Sequence, residues 1–274
     1  MINETELHQG RKKLLRAILT GETLRGQKAG VREYQLEKEL RLATTTPATS
    51  QLPLRRTSQA FKEYLTGFWE GDGGLAVTES RSIGVSFTQA KPTILISVQE
   101  ELEGGYLYTP TKGCNYYRLV FRGKQAAEVL DVLRKNVVGA YRIKQLSQAL
   151  PIINLTLVTL HAITPNWFVG FWDAEGHSYS SSYTYIGVSN KEKQLIDEVR
   201  KLWGCGHIQS RKDGVSVWSL SSLPKYREKF KEVYNLLLDK SLNEGKKRKL
   251  VEDVTFGKLL KGVMTPHRML KEGV

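Results

Sequence analysis

Cysteine is almost absent from this 274-residue chain. Cys114 and Cys205 are the only two, too few for a disulfide framework or a cysteine-based metal site, and this fits a reducing compartment. Long apolar runs are missing as well. The longest, around residues 150–163, is broken by Asn154, Thr156, Thr159 and His161, which leaves it too short and too polar to span a bilayer. The first residues, Met1-Ile-Asn-Glu-Thr-Glu6, lack the basic-then-apolar order of a secretory signal. A soluble, intracellular protein is therefore expected, in the cytoplasm or an organelle matrix, with no membrane partner. Acidic residues are also scarce: 28 Asp and Glu face 41 Lys and Arg, a formal charge of +13. That excess points to a polyanionic partner, nucleic acid above all. The 40 % of apolar residues is enough for a substantial core.

The chain divides by composition. Residues 1–43 read as helical, with Leu14, Leu15, Ile18 and Leu19 at helical spacing beside the basic cluster Arg11, Lys12, Lys13 and Arg16. A Thr- and Pro-rich break, Thr44 to Pro53, follows as a linker. This sets residues 1–55 apart as a basic helical extension. Beyond it lie a first unit over 56–150, a linker over 151–163, and a second unit with a C-terminal tail over 164–274.

The two units repeat one segment. Leu65-Thr-Gly-Phe-Trp-Glu-Gly-Asp-Gly73 and Phe168-Val-Gly-Phe-Trp-Asp-Ala-Glu-Gly176 share Gly-Phe-Trp, an acid, a small residue, a second acid and a glycine. In each unit a helix is predicted to end at the second acid. Thr57 or Ser58 serves as N-cap in the first; Thr164, followed by Pro165, does so in the second. Period-two stretches then follow, such as Ile83, Val85 and Phe87. Helices are predicted over 92–102 and 193–202, strands over 116–121 and 215–220, and charged closing helices over 125–150 and 224–260. The whole reads as a duplicated α+β unit.

Gly67 and Gly71, like Gly170 and Ala174, are four apart and share a helix face. Small residues so placed let two helices approach closely. The acids Asp72 and Glu175 would then meet at adjacent helix C-termini, where they repel one another and the negative end of each helix dipole. A hard cation such as Mg²⁺ resolves that conflict. With a basic surface around it, the expected chemistry is phosphodiester hydrolysis.

These residues resemble the LAGLIDADG homing endonucleases in their single-chain, two-repeat form, over about residues 56–260. The resemblance implies two pseudo-symmetric αββαββα halves with antiparallel sheets forming a DNA-binding saddle. It implies a Mg²⁺-dependent, sequence-specific endonuclease that acts as a monomer and makes a staggered cut in a long asymmetric double-stranded DNA site. Mn²⁺ is expected to substitute, and Ca²⁺ to support binding without cleavage. Asp72 and Glu175 become the metal carboxylates, with the carbonyls of Gly71 and Ala174 as added ligands. Gln89 and Asn190 become the amides that hold metal-bound water. Lys144 and Lys247, each 72 positions after its own acid, become the basic residues of the site. His177 reads as a strand-start residue near DNA rather than a ligand.

On the sheets, alternation turns Leu119 and Phe121 inward and leaves Tyr116, Arg118 and Arg122 outward. Gln209 and Arg211 suit base contacts, since arginine pairs with guanine and glutamine with adenine in the major groove. Thr78, Ser82, Ser86, Ser180, Ser182 and Thr184 are further candidates for base or phosphate contact. Two other readings stay open on the same fold: an intron-RNA maturase, and a DNA-binding regulator that does not cut.

Overall fold

The computed structural model describes residues 57–111, 113, 115–158 and 162–260, with the backbone alone for 256–260. The expected N-terminal helix, its linker, Cys114 and His161 lie outside the described residues. The first half runs α1 (Gln59–Asp72), β1 (Gly73–Val77), β2 (Ile83–Gln89), α2 (Thr93–Glu101), β3 (Tyr106–Tyr108), β4 (Tyr117–Arg122), α3 (Gly123–Leu133), α4 (Ala140–Ala149). The second repeats that order as α5 (Pro165–Glu175), β5 (Gly176–Ser180), β6 (Thr184–Asn190), α6 (Lys193–Trp203), β7 (His207–Ser210), β8 (Ser216–Ser221), α7 (Arg227–Lys240), α8 (Glu244–Leu260). Each half contributes one four-stranded antiparallel sheet, in the order β1-β2-β4-β3 and β5-β6-β8-β7.

The motif helices start as their sequences dictate. Ser58 Oγ accepts from Phe61 N at 3.1 Å, and Thr164 Oγ1 from Trp167 N at 3.2 Å, with Pro165 at the first helical position. Each satisfies an amide that the helix itself leaves unpaired. Glu63 ties the two starts together, accepting from Thr164 Oγ1 at 2.8 Å and Asn166 Nδ2 at 2.9 Å. α1 and α5 then cross with almost no side chain between them. A Cβ on Gly67 would lie 1.9 Å from the Trp167 carbonyl oxygen, and one on Gly170 would lie 1.9 Å from that of Tyr64. The flanking Leu65, Phe68, Trp69, Phe168, Phe171 and Trp172 are fully buried.

One face of each sheet covers this helical layer. Val85, Phe87, Leu119 and Phe121 face it in the first half, and Ile186, Val188, Trp218 and Leu220 in the second, all with no exposed surface. The alternate rows form an open face in each half.

The closing segments depart from expectation: each is two helices rather than one. α3 stops at Leu133 and α4 starts at Ala140; α7 stops at Lys240 and α8 starts at Glu244. The first acid of each motif explains the breaks. Glu70 accepts from Val138 N at 2.6 Å and Gly139 N at 2.8 Å. Asp173 accepts from Leu242 N at 2.8 Å, Ser241 Oγ at 2.5 Å and Tyr64 Oη at 2.7 Å. A carboxylate that takes the amides at a helix start leaves them no partner in a preceding turn, so the helix breaks there. Glu192 adds two bonds across the halves, accepting from the amides of Ala140 and Tyr141.

Candidate active site

The close helix crossing carries the second acids with it. Asp72 and Glu175 are the last residues of α1 and α5, and each strand that follows starts at the next residue. At this level Gly71 and Ala174 are in contact: a Cβ on Gly71 would lie 2.4 Å from that of Ala174 and 3.0 Å from Glu175 Cγ. Burial raises the pKa of both acids, and the negative charge of Asp72 raises that of Glu175 further. Lys246 and Arg142 act in the opposite direction on both. Two desolvated carboxylates and nearby main-chain carbonyls form an all-oxygen donor set, which suits a hard divalent cation rather than a thiophilic one.

The two halves support their acids differently. Gln89 Nε2 donates to Asp72 Oδ2. Asn190 holds the matching place in the second sheet: Gln89 pairs with Tyr117, Asn190 with Ser216, and both close their ladders. Yet Asn190 Oδ1 accepts from Glu192 N at 2.8 Å, committed to a local turn of the backbone rather than to Glu175. Burial, then Lys246 and Arg211, lower the pKa of His177, while the Glu175 backbone acts in the opposite direction.

The basic residues brought to the acids are Arg142 and Lys246. Lys246 Nζ donates to the carbonyls of Trp172 at 3.0 Å and Ala174 at 2.9 Å. Burial brings its pKa down to about 8, while Asp173, Asp72 and Glu175 hold it from falling further. Arg142 donates to the carbonyls of Glu70 at 3.3 Å and Gly73 at 2.7 Å, its guanidinium 4.7 Å from the Trp69 ring centroid. Lys247 instead pairs with Glu244 at 2.5 Å, and Lys144 lies exposed on α4. One residue along a helix turns a side chain by ~100°, so the register of the helix start decides the outcome. Asn243 caps α8 by accepting from Lys246 N at 3.1 Å, and Gly139 occupies the N-cap of α4. Arg142 and Lys246 are each the third residue after their cap. Counting from the helix cap would have found them; equal offsets from the acids lead to neighbours.

Among the surface candidates, Arg118 and Arg122 point outward on β4, where Arg118 Nη2 donates to Ser86 Oγ at 3.0 Å. Tyr116 is exposed just before that strand. Gln209 is exposed on β7, with exposed Arg211 one residue beyond the strand. Thr78 and Ser82 close the β1–β2 hairpin, Ser82 N donating to Thr78 Oγ1 at 3.0 Å, and Ser182 lies exposed at the β5–β6 turn. Ser180 and Thr184 lie on the other face: Thr184 is buried and donates to the Asp253 carbonyl at 3.1 Å, with Ser180 Oγ 3.3 Å away. Serine and threonine can turn inward here because Asp253 on α8 supplies polar partners; Ser178 Oγ donates to its carboxylate at 2.7 Å. The parity of β5 and β6 is set accordingly, and Tyr179 and Tyr185 take the open face. The rule of apolar-in, polar-out missed them.

No protein-family model matches the chain. Among curated proteins, the probable intron-encoded endonuclease aI2 of Debaryomyces hansenii is 25 % identical over 189 residues, covering 60 % of this chain. The chain spans only 28 % of that relative's length. Two solved structures align over most of the described fold. The LAGLIDADG meganuclease I-AabMI bound to uncleaved DNA has a TM-score of 0.56 at 16 % identity, covering 73 % of this chain and 91 % of its own. The LAGLIDADG homing endonuclease I-LtrWI bound to target DNA gives 0.56 at 12 % identity, covering 74 % and 91 %. At these identities the shared property is the fold.

Proposed function

We propose that this chain, which has the LAGLIDADG homing-endonuclease fold with both repeats in one polypeptide, is a metal-dependent, site-specific DNA endonuclease. The observation that carries this reading is the pair Asp72 and Glu175. Gly67 and Gly170 bring two half-buried carboxylates together at adjacent helix ends, at a cost in repulsion and desolvation that a scaffold without chemistry has no use for.

The chain's own residues have definable tasks in that reaction. Asp72, Glu175 and the carbonyl of Gly71 would hold the metal, most simply Mg²⁺, whereas the Ala174 carbonyl expected to join them accepts from Lys246 Nζ at 2.9 Å. When bound, such an ion lowers the pKa of a water and offsets charge on the phosphate and the leaving oxygen. Gln89 fixes the orientation of the Asp72 carboxylate and presents its amide toward the same space. Lys246 and Arg142 set a positive field where a phosphodiester would be drawn in. The sheets' open faces, with Arg118, Arg122 and Arg211, would lie along the major groove, and both halves being in one chain lets a monomer address an asymmetric site. The charge of +13 supplies the salt-sensitive part of the affinity.

The test is selection of a cleavage site from a randomised duplex library in Mg²⁺ and in Ca²⁺. Staggered ends in Mg²⁺, and binding without cuts in Ca²⁺, are expected. Specific binding with no cut under any divalent metal would transfer the assignment to a regulator, and enrichment of intron RNA alone to a maturase. The unequal support of the two acids gives a sharper expectation. Gln89→Leu should slow cleavage by about 10–100-fold, the usual cost of a lost outer-shell partner. Asn190→Leu should act mainly on stability, by about 1 kcal/mol for the lost hydrogen bond to Glu192 N. Single-turnover rates and urea unfolding measure the two; equal slowing by both variants would contradict the asymmetry.

A further inference from the structure

The two open sheet faces are furnished differently at matching positions. On the second, Tyr179 faces Tyr185 across β5 and β6; the equivalent pair in the first half is Ala76 and Gly84. The tyrosine rings are stacked, 4.7 Å between centroids and 9° from parallel. His177 continues the column along β5, 6.4 Å from Tyr179 and 13° from parallel. Gly187, its cross-strand partner, makes room for the imidazole, since a Cβ there would lie 2.7 Å from His177 Nε2. The first half fills the corresponding space with charge: the Arg118 guanidinium reaches over Gly74 to Ser86.

The column begins two residues after Glu175 and is 45 % exposed at Tyr179. Stacking fixes the rings before any ligand arrives, so little side-chain entropy remains to be lost on binding. The rings of Tyr179 and Tyr185 are 4.7 Å apart across the strands, nearer to one base-pair step of ~3.4 Å than to two. A guanidinium finds its partner in the paired acceptors of guanine. Uncharged ring surface does not; a polar base edge pressed against it would lose water without compensation. The C5 methyl of thymine is the one apolar group on the major-groove floor.

Resting on the DNA-cleavage reading above, we infer that Tyr179 and Tyr185, with His177, form a specificity element that selects thymine methyls at adjacent base pairs in the half-site under the second repeat. The first repeat, through Arg118, selects G·C instead.

The experiment uses the full chain in Ca²⁺ and its selected duplex, with each thymine replaced singly by deoxyuridine, a change that removes only the methyl. Binding is expected to weaken about threefold to fivefold at adjacent positions on one side of the cut, the value of one buried methyl. That sensitivity should survive in a Tyr179→Phe/Tyr185→Phe double variant and vanish in Tyr179→Ser/Tyr185→Ser. The salt dependence of binding should be the same in all three proteins, because no charge changes. Tolerance of deoxyuridine at every position by the wild-type protein would overturn the inference alone. So would a Ser/Ser variant that keeps the sensitivity, or tighter binding of a single strand than of the duplex that the Ser/Ser variant loses, which would mark a base-stacking platform. Absence of specific duplex binding by the wild-type protein would overturn the DNA-cleavage reading and this inference with it.

Discussion

Gly67→Ala and Gly170→Ala are each expected to leave no stably paired halves. The added Cβ would sit 1.9 Å from a backbone carbonyl oxygen of the opposite helix, well inside any tolerated contact, and backbone cannot rotate away as a side chain does. The helices would have to separate along their whole crossing, opening voids around Phe68, Trp69, Phe171 and Trp172, which are all fully buried. Substitutions that combine overpacking with lost core contacts cost ~4 kcal/mol or more, against a total stability of about 5–15 kcal/mol for a domain. Gly84→Ala is the control. Its nearest neighbour would be the Phe121 carbonyl oxygen at 3.8 Å, so a change within about 0.5 kcal/mol is expected. All five tryptophans are buried, so urea unfolding followed by their fluorescence measures all three variants. A Gly67→Ala protein that unfolds at the wild-type midpoint would contradict the crossing described.

The same glycines show why the fold was legible. Small residues four apart, written twice in one context, leave a helix pair little choice, and the acids at positions 72 and 175 go wherever those helices end. The strands were legible for a related reason: apolar rows such as Val85 and Phe87 must find the single buried face. What failed to show was decided by contacts remote in sequence. Nothing near Gly139 announces that Glu70, 69 positions earlier, will take its amide and split the closing helix. The inward turn of Ser178 and Thr184 depends on Asp253, 75 and 69 residues away. Local pattern therefore gave Tyr179 and Tyr185 no outward assignment. Lys246 lay within one position of Lys247, in a run of four basic residues where period and charge are uniform and only the Asn243 cap sets the phase. Fold and paired acids rest on residues that repeat; the surrounding residues are where the halves differ, and there the sequence offers no internal copy to compare.

Asp72→Asn is expected to abolish cleavage while making the metal-free protein more stable. Asp72 is desolvated and faces Glu175, and burial raises the pKa of both acids. A carboxyl whose pKa is raised on folding binds its proton more tightly in the native state. Stability is then greatest below the unfolded values, 3.8 for Asp72 and 4.5 for Glu175, and falls as pH rises through the folded ones. At neutral pH the ionised pair is therefore a burden, and an uncharged amide relieves it. The substituted side chain would keep an oxygen for the Gln89 amide, so the local hydrogen bond is retained. A gain of about 0.5–2 kcal/mol at pH 7.5 is expected, the range in which functional strain is commonly released, with a flatter decline of stability between pH 4 and neutrality. Saturating Ca²⁺ should reverse the order. At 100 times its dissociation constant it would stabilise the wild-type protein by ~2.7 kcal/mol, more at pH 7.5 than at pH 5, where protons compete for the same oxygens. The variant should gain little. On the proposed metal-dependent mechanism, cleavage should fall by ~10³-fold or more, with duplex affinity in Ca²⁺ lowered far less because the proposed sheet contacts are untouched. Thermal melts across pH with and without Ca²⁺, alongside single-turnover cleavage, separate the possibilities. If the variant loses stability in the absence of metal, Asp72 is a structural cap rather than a strained ligand. If it gains stability yet still cuts at the wild-type rate, the paired carboxylates are not where the phosphodiester is broken.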